Sequence, residues 1–407
     1  MTTYPLRPIH PEEHRAFAEA RAAGFGFTFR PENLERNERC ADLSRTIAAW
    51  DGDQVVGTAG AWTFGMSVPG GELPCAGVTW VSVRPTHRRQ GILSAMMRRQ
   101  LEDVRDREEP IAMLWASEVP IYGRFGYGLA AEGVEMKIER TRTALLPGFE
   151  PAGRTRFVSR SQALGAWPGV YERARSLLPA MHSRSEAWWE HRVLSEPETP
   201  PDGYSASFFV QYEEGGEVLG YVRYRVKEQW THGAADNQLS VVELMALTDA
   251  AYAAIWRFVF DVDLVGTIHA EWRRADEPLY HMLADSRRLV RKQTDTVFCR
   301  VVDPIRALEG RRYATEGSVV IDVNDDFCPW VAGRYLVEGG PDGARCTRTT
   351  REPDLTLGAK ELGAAYFGFT RLTPLLRAGR LCGEESAVRR ADAMFGWPVA
   401  AWAPEIW

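Results

Sequence analysis

The stretch from Val81 to Leu93 combines basic residues, a glycine and a change from strand to helix periodicity. The apolar alternation ends before Pro85, which prevents the strand from continuing, and helical spacing begins near Gly91. The N–H groups and the positive dipole end at a helix N-terminus favour an anion. Arg88 and Arg89 add positive charge, and Gly91 has no Cβ to block a close approach. The sequence therefore predicts a turn that binds a pyrophosphate.

A second candidate segment runs from Ala116 to Gly128, directly after an apolar, strand-like run. It begins with the polar residues Ser117 and Glu118 and contains Tyr122, four residues before the pair Gly126-Tyr127. A phenol has a pKa near ~10 in water and is able to act as a general acid. The alternative interpretation of Tyr122 is a packing tyrosine with a hydrogen-bonded hydroxyl group.

The loop matches neither GxxxxGK[ST] nor GxGxxG. It resembles motif A of the GNAT acetyltransferases, [RQ]-x-x-G-x-[GA] after a V-x-V strand. Arg88, Gly91 and the run Val81-Ser82-Val83 match this motif, whereas Leu93 stands where the motif usually has Gly or Ala. The resemblance implies that acetyl-CoA is a cosubstrate, held by residues of the strand, the loop, the helix start and the next strand end: Val81, Ser82, Val83, Arg88, Arg89, Gln90, Gly91, Ile92, Leu93, Ser94, Ser117 and Glu118.

The same family carries a Y-x-x-x-G-[FY] element, which Tyr122 and the pair Gly126-Tyr127 match. The resemblance implies that the Tyr122 hydroxyl group protonates the departing thiolate of CoA. A thiol pKa of ~8.5 and a phenol pKa of ~10 are well matched for that transfer. Tyr127 is a competitor for the role, but its register places it in the following strand.

The combination of Ala116-Ser117-Glu118 with the run from Ile121 to Gly128 resembles the Eis (enhanced intracellular survival) N-acetyltransferases, and the resemblance covers nearly the full length. It implies an α/β (α+β) fold with two tandem GNAT-like domains and a sterol-carrier-protein-like α+β domain after them. It also implies acetylation of amines of aminoglycosides and of lysine side chains, and a homohexamer.

The pattern of elements divides the chain into residues 1–148, 149–302 and 303–407. We expect the first part to hold the acetyl-CoA site. The second part repeats the order of elements in the first, but the run from Leu247 to Tyr252 at the equivalent turn contains no arginine pair and no glycine. Asp249 would repel a phosphate at this position. We therefore expect a degenerate GNAT-like domain without a cofactor loop, followed by the sterol-carrier-like domain.

The segment from Phe395 to Trp407 is too rich in aromatic residues for a solvated end. In Eis-like enzymes the free C-terminal carboxylate reaches the active site, so the resemblance implies that the Trp407 carboxylate accepts the proton of the amine. An α-carboxyl group has a pKa of only ~3.3–3.7 in water, and burial would raise this pKa. A tail that packs for stability alone is the alternative, and Glu405 is a rival base or amine-binding acid.

Charge and composition exclude several classes of protein. The net charge of −6 argues against a nucleic-acid partner and suits a cationic small molecule. The six cysteines form no CxxC pair and no HExxH occurs, so we expect neither a metal site nor a disulfide framework. No apolar run approaches ~20 residues, and the N-terminus lacks the features of a signal peptide. We therefore expect no membrane span and a cytoplasmic location.

Together these observations predict an acetyl-CoA-dependent N-acetyltransferase, a GNAT-type acyltransferase. Its predicted substrate is an amine-bearing, cationic, aminoglycoside-like small molecule, acetylated by direct transfer in a ternary complex. A protein-lysine acetyltransferase would share this chemistry. A non-catalytic carrier of hydrophobic ligands is the alternative from another class, but a carrier does not need Arg88, Arg89, Gly91 and Tyr122 together.

Overall fold

The computed structural model describes residues 4–148, 150–196 and 201–407. The chain forms two compact units. The first unit contains the residues up to 131 together with 296–401 and 406–407, and the second unit contains 132–295 and 402–405. In the described part of the chain, no helix is long and apolar enough to cross a membrane.

The N-terminal segment contains antiparallel strands, one parallel strand pair and helices. Its strands are β1 (Leu6–Arg7), β2 (Thr46–Asp51), β3 (Gln54–Val68), β4 (Gly71–Val83), β5 (Ile111–Trp115) and β6 (Gly128–Leu129). Its helices are α1 (His14–Phe25), α2 (Pro31–Glu38), α3 (Ile92–Asp106) and α4 (Val119–Tyr122). The strand end, the polar loop and the helix start predicted around Val81 to Leu93 are therefore present.

The central segment is built in a similar order. Its strands are β7 (Glu132–Glu139), β8 (Arg154–Phe157), β9 (Phe208–Glu214), β10 (Glu217–Lys227), β11 (Trp230–Thr231), β12 (Ala234–Ala235), β13 (Asn237–Ala246), β14 (Val265–Arg274) and β15 (Val290–Asp295). Its helices are α5 (Arg160–Arg175), α6 (Glu186–Trp188), α7 (Asp249–Asp261) and α8 (Leu279–Met282). A parallel strand pair joined through a helix, β13–α7–β14, lies at its centre.

The C-terminal segment continues with further strands and helices. Its strands are β16 (Val297–Val301), β17 (Gly317–Asn324), β18 (Gly333–Gly340), β19 (Gly343–Arg348), β20 (Leu355–Gly358) and β21 (Leu381–Gly383). Its helices are α9 (Pro304–Glu309), α10 (Ala359–Ala365), α11 (Leu372–Arg377) and α12 (Glu385–Phe395). Strands β17 to β21 form a five-stranded sheet in the order β19-β18-β17-β20-β21.

The two large sheets exchange strands across the linear divisions at residues 148 and 302 that the sequence suggested. The first sheet has the order β1-β2-β3-β4-β5-β16-β6, and the second has β15-β7-β14-β13-β10-β9-β8. Strand β7 thus pairs in the second sheet although it lies before residue 148, and β16 pairs in the first although it lies before residue 302. Every residue of β16 is buried, so this strand requires an interior position, which β5 and β6 provide.

The candidate site is positioned by the centre of the first sheet. Strands β4 and β5 run parallel and pair over Cys75–Val78 and Ile111–Leu114, after which they separate. Helix α3 connects them and packs Ile92 and Met96 into an apolar cluster with residues of β2 and β3. The separation of the strands and the start of α3 therefore lie at the same edge of the sheet.

Candidate active site

A pocket of about 750 Å³ opens in the first unit where β4 and β5 separate. Its volume lies within the range for small-molecule sites. The predicted site residues that line it are Val81, Ser82, Val83, Arg88, Arg89, Gly91, Ile92, Leu93, Ser94, Ser117, Glu118 and Tyr122. The lining residues that were not predicted are Gly24, Phe25, Phe27, His87, Ile121 and Arg124. His87 and Arg124 lie inside the two motif segments, whereas Gly24 to Phe27 lie at the end of α1, which carried no chemical signal.

One end of the pocket is the N-terminus of α3. Gly91 is the N-cap, with φ of +79°, and it has no side chain to bond the helix N–H groups. The first intrahelical bond runs from Ala95 N–H to the Gly91 carbonyl, so the N–H groups of Ile92, Leu93 and Ser94 have no partner inside α3. Apart from its two neighbours along the chain, no described residue lies within 4 Å of the position a Cβ would take on Gly91. This end therefore offers open space, N–H donors and a positive dipole end to an anion.

The basic side chains of the loop border the same space. Arg88 and Arg89 line the pocket and are exposed. The Arg88 guanidinium group donates through Nη2 to the Gly24 carbonyl at 3.0 Å, which connects the loop to the end of α1. Leu93, which departs from the motif, packs against the apolar cluster of β2, β3 and α3 while it lines the pocket. A larger side chain than Gly or Ala is accommodated there by the core.

Tyr122 lies at the end of α4 and lines the pocket, although it is only 6% exposed. Burial, with a smaller contribution from Glu118, raises the pKa of Tyr122 to about 12. Tyr127 packs edge-to-face against it, with ring centroids 6.1 Å apart. Tyr127 is fully buried and does not line the pocket, and its hydroxyl group has no hydrogen-bond partner among the described residues. Of the two tyrosines, Tyr122 is therefore the one that the pocket can reach.

Strand β4 is irregular beside the pocket. Thr58 pairs with Ser82 and Gly60 pairs with Thr79, so two residues, Trp80 and Val81, oppose the single residue between Thr58 and Gly60. This is a β-bulge, a feature that bends a strand and is frequent beside active sites. Trp80 has φ of +57°, a left-handed conformation that is strained for a bulky side chain.

Trp407 lies where β4 and β5 separate but does not line the pocket. Its terminal oxygen accepts a hydrogen bond from Thr79 Oγ1 at 3.2 Å. Its ring packs edge-on against Phe64 and Trp115, with centroid distances of 5.5 and 6.2 Å. The residue is 6% exposed. The last residue of the sequence is thus docked beside the bulge of β4.

Gln90 is the other predicted site residue that does not line the pocket. Its Oε1 accepts a hydrogen bond from the Tyr4 hydroxyl group at 2.7 Å, because its side chain points from the loop toward the N-terminal strand region. Gln90 directly precedes Gly91 in the sequence, but the side chains of adjacent loop residues point in different directions. The side chain of Gln90 is thus bonded outside the pocket lining, and its part in binding the cosubstrate stays a prediction.

Glu405, the rival base, belongs to the second unit. Its carboxylate accepts hydrogen bonds from Arg184 Nε at 2.6 Å and Trp188 Nε1 at 3.2 Å, and it lies 3.1 Å from His182 Nε2. Burial raises the pKa of Glu405, but Arg184 and His182 outweigh burial and hold it well below its usual range. A carboxylate held in this way is a weak base. Among the described residues, no group of three or more His, Cys, Asp or Glu side chains could hold a metal ion.

Comparison with known proteins identifies the domains and the relatives of the chain. Two acetyltransferase (GNAT) domain models match residues 5–130 and 180–301, and a sterol carrier protein domain model matches residues 305–404. An uncharacterized N-acetyltransferase of Streptomyces avermitilis is 41% identical over 377 residues, which is 92% of each chain. N-acetyltransferase Eis of Mycobacterium tuberculosis is 35% identical over 360 residues, which is 85% of this chain and 84% of that protein.

A solved structure shows the same similarity. The crystal structure of Eis1 from Mycobacterium abscessus superposes with a TM-score of 0.87 at 30% identity, covering 99% of this chain and 100% of that one. The predicted fold, with two GNAT domains before a sterol-carrier-like domain, is thereby confirmed. A GNAT fold implies the use of acetyl-CoA. The chain belongs to the Eis family of GNAT N-acetyltransferases and is an acyltransferase.

Proposed function

We propose that the pocket in the first unit binds acetyl-CoA and that the enzyme transfers the acetyl group directly to an amine of a cationic small molecule in a ternary complex. One observation carries the proposal. A single pocket combines the uncapped start of α3 with Arg88, Arg89 and the hydroxyl-bearing residue Tyr122. The first three features bind an anion, and the last supplies a proton.

The start of α3 fits the pyrophosphate of the cosubstrate. The open space at Gly91 admits phosphate oxygens, and the N–H groups of Ile92, Leu93 and Ser94 are available as donors. Arg88 and Arg89 neutralise part of the phosphate charge. Ser117 and Glu118, which line the pocket after β5, would lie along the pantetheine arm of the bound cosubstrate. When bound, acetyl-CoA supplies an activated acyl group as a thioester.

Three groups of the first unit each have one role in the transfer: one accepts a proton, one stabilises a negative charge and one donates a proton. The Trp407 carboxylate, docked on Thr79, accepts the proton that the ammonium group must lose to become a nucleophile. The N–H group of Val81, in the bulge, stabilises the negative charge that develops on the thioester carbonyl oxygen. Tyr122 gives its proton to the departing thiolate. Burial favours the neutral form of the phenol, so Tyr122 still carries its proton when the thiolate departs.

Direct transfer is favoured by what surrounds the pocket. In the described part of the chain, no cysteine lines it, and Cys75 and Cys299 are fully buried, where burial raises the pKa of each thiol. An acyl-cysteine intermediate on the enzyme therefore has no evident nucleophile. A ternary complex needs only an amine acceptor, and the net charge of −6 favours a cationic one.

The family resemblance extends the proposal to the acceptor and the assembly. On that basis we propose aminoglycoside-like acceptors, a homohexamer and a cytoplasmic location. A screen for CoA release tests the acceptor. It compares aminoglycosides, polyamines and lysine peptides at equal amine concentration. We expect the highest kcat/KM with aminoglycosides, whereas a preference for lysine peptides would replace the small-molecule acceptor with a protein.

Replacing Tyr122 by Phe tests the proton donor. We expect kcat to fall by about 100-fold or more, because general acid catalysis commonly contributes 10²–10⁴-fold. The Kd for acetyl-CoA should change little, since Phe fills the same space. Tyr127→Phe is the matched control, because its hydroxyl group has no partner among the described residues and lies outside the pocket. Equal effects of the two substitutions would remove the assignment of Tyr122.

Extending the chain beyond Trp407 by two glycines tests the base. The extension converts the carboxylate into an amide, so we expect turnover to fall while the Kd for acetyl-CoA stays the same. A protein carrying two extra glycines at the N-terminus is the control. Full turnover of the C-terminally extended enzyme would show that another group accepts the proton.

A further inference from the structure

A chain of two hydroxyl groups ends on the carbonyl of the bulge residue Trp80. Thr58 Oγ1 lies 2.7 Å from the Trp80 carbonyl oxygen and 2.9 Å from Ser82 Oγ. A carbonyl oxygen only accepts, so Thr58 donates its single proton to Trp80. Ser82 must then be the donor to Thr58. The direction of both hydrogen bonds follows from this chemistry, and Thr58, fully buried, has no donor capacity left.

This hydrogen bond fixes the orientation of one peptide group. The Trp80 carbonyl and the Val81 N–H belong to the same planar trans peptide, in which they point in opposite directions. Thr58 lies on β3, so the Trp80 carbonyl points toward β3. The Val81 N–H therefore points toward the other side of β4, where β5 has separated and the pocket opens.

The peptide needs such a restraint because the bulge is strained. A left-handed conformation of a non-glycine residue costs roughly 1–2 kcal/mol. Contacts of the indole ring hold the Trp80 side chain: Trp62 packs edge-on at 4.9 Å, and Gly60 leaves room where a Cβ would lie 2.7 Å from the ring. These contacts fix the ring but do not bond the peptide group that follows it. The Thr58 hydroxyl group bonds that peptide group through the Trp80 carbonyl oxygen.

We propose that Thr58 is a positioning residue, which holds the Trp80–Val81 peptide so that the Val81 N–H faces the thioester carbonyl oxygen. The inference rests on the proposed function, because it needs acetyl-CoA in the pocket. Thr58 itself does not touch the cosubstrate. Its hydroxyl group acts through the peptide, and this role depends on the hydroxyl and not on the shape of the side chain.

Kinetics of Thr58→Val test the role of the hydroxyl group, because valine has nearly the same shape. We expect kcat to fall by about 10- to 100-fold, somewhat less than the loss of a whole oxyanion donor, while the KM for acetyl-CoA changes less than about twofold. Thr58→Ser keeps the hydroxyl group and should restore most of the kcat. Thr46→Val is the matched control. Thr46 is equally buried in the same sheet and also donates to a carbonyl, that of Leu43, but it lies away from the pocket.

The infrared band of the thioester carbonyl gives a second readout that a purely structural role would not move. With 13C-labelled acetyl-CoA bound in the absence of an amine, we expect a shift to lower frequency in wild type and in Thr58→Ser, and a smaller shift in Thr58→Val. The measurement needs only binding, so it remains informative if turnover of the variant is too slow to follow.

The outcomes separate the two proposals. Wild-type protein that neither binds acetyl-CoA nor acetylates any amine would overturn the proposed function. Active wild type, with Thr58→Val equal to Thr46→Val in kcat and in the infrared band, would overturn the role of Thr58 alone. If Thr58→Val does not fold, the same decision rests on Thr58→Ser, which must keep both wild-type signals for the inference to stand.

Discussion

The two units each contain a pair of parallel strands that separate, yet the spaces left by the separation differ greatly. In the first unit, β4 and β5 separate after Val78 and Leu114 and leave a pocket of about 750 Å³. In the second unit, β13 and β14 pair from Asn237 to Val241 and then separate around a cavity of about 120 Å³. The same strand arrangement therefore does not by itself make a cofactor site.

Side chains of the second unit occupy the space that stays open in the first. Arg273 on β14 donates through Nη1 to the Leu244 carbonyl of β13 at 2.9 Å, which bridges the gap. Trp402 lines the same cavity and donates to the Trp272 carbonyl at 2.6 Å. The start of α7 is also capped, because Thr248 Oγ1 accepts a hydrogen bond from the Ala251 N–H group. In the first unit, by contrast, the helix between the separating strands starts without a capping side chain and beside unfilled space.

A threonine N-cap at the start of α3, copied from the start of α7, should weaken the binding of acetyl-CoA more than the other changes below. In Gly91→Thr, a β-branched residue must adopt φ of +79°, and its hydroxyl group competes for the helix N–H groups. Loss of one or two charge-assisted hydrogen bonds, at about 1.5–3 kcal/mol each, predicts a Kd for acetyl-CoA about 100-fold higher. Titration calorimetry measures this. Gly52→Thr, at another left-handed glycine with open space but outside the pocket, should leave the Kd unchanged.

Removing one positive charge at the pocket should raise the Kd for acetyl-CoA by a smaller factor. We expect Arg88→Ala to raise the Kd for acetyl-CoA by about tenfold, since a hydrogen bond to a charged group contributes about 1.5–3 kcal/mol. The loss should shrink as salt is added, because Arg88 is exposed. Arg99→Ala removes an exposed charge further along α3, where Arg99 pairs with Asp103, and serves as the control. A Kd that is equal for both variants would remove Arg88 from the phosphate site.

Removing the cap of α7 should affect only the second unit. Thr248→Ala should lower the free energy of unfolding by about 0.5–2 kcal/mol, as losses of N-caps do. Hydrogen exchange of the first-turn amides of α7 measures the change where it occurs. The Kd for acetyl-CoA should stay as in wild type, and a weaker affinity would mean that the second unit takes part in binding the cosubstrate.

The last prediction is that kcat does not decline between neutral pH and about pH 10. Burial raises the pKa of Tyr122 to about 12, so the phenol keeps its proton far above neutral pH. The proton donor is lost only as the pH rises through that raised pKa. With acetyl-CoA saturating, kcat should therefore show no decline up to about pH 10, where an ordinary tyrosine would be half ionised. A decline centred near pH 8 or 9 would point to a different acid.

The sequence predicted those parts of the site that lie close together along the chain. The sequence pointed to the loop with Arg88 and Gly91 because strand end, loop and helix follow one another directly. It pointed to Tyr122 because the tyrosine and the Gly126-Tyr127 pair lie within one short segment. The direction of the Gln90 side chain was not predictable, because spacing does not say which way a loop side chain points, and here it accepts a hydrogen bond from Tyr4. Similarly, Thr248 was visible, but its capping bond became evident only in the structure.

Features that depend on distant pairing were not predictable. Nothing in the run Val297–Val301 says that it pairs with β5 rather than with its sequence neighbours, because burial on both faces gives the same apolar run in any interior position. The bulge at Trp80 depends on the register of β3 against β4, and the role proposed for Thr58 depends on the bulge. Phe25 and Phe27 enter the pocket only because α1 ends beside it.

The number of acetyl-CoA molecules bound per chain tests the difference between the two units most directly. Titration calorimetry of the wild-type protein measures this number in the absence of an amine acceptor. We predict one site per chain, because the helix between the separating strands starts without a capping side chain beside open space in the first unit, whereas Thr248 caps the equivalent helix in the second. Two sites per chain, or one site that survives unchanged in Gly91→Thr, would contradict it.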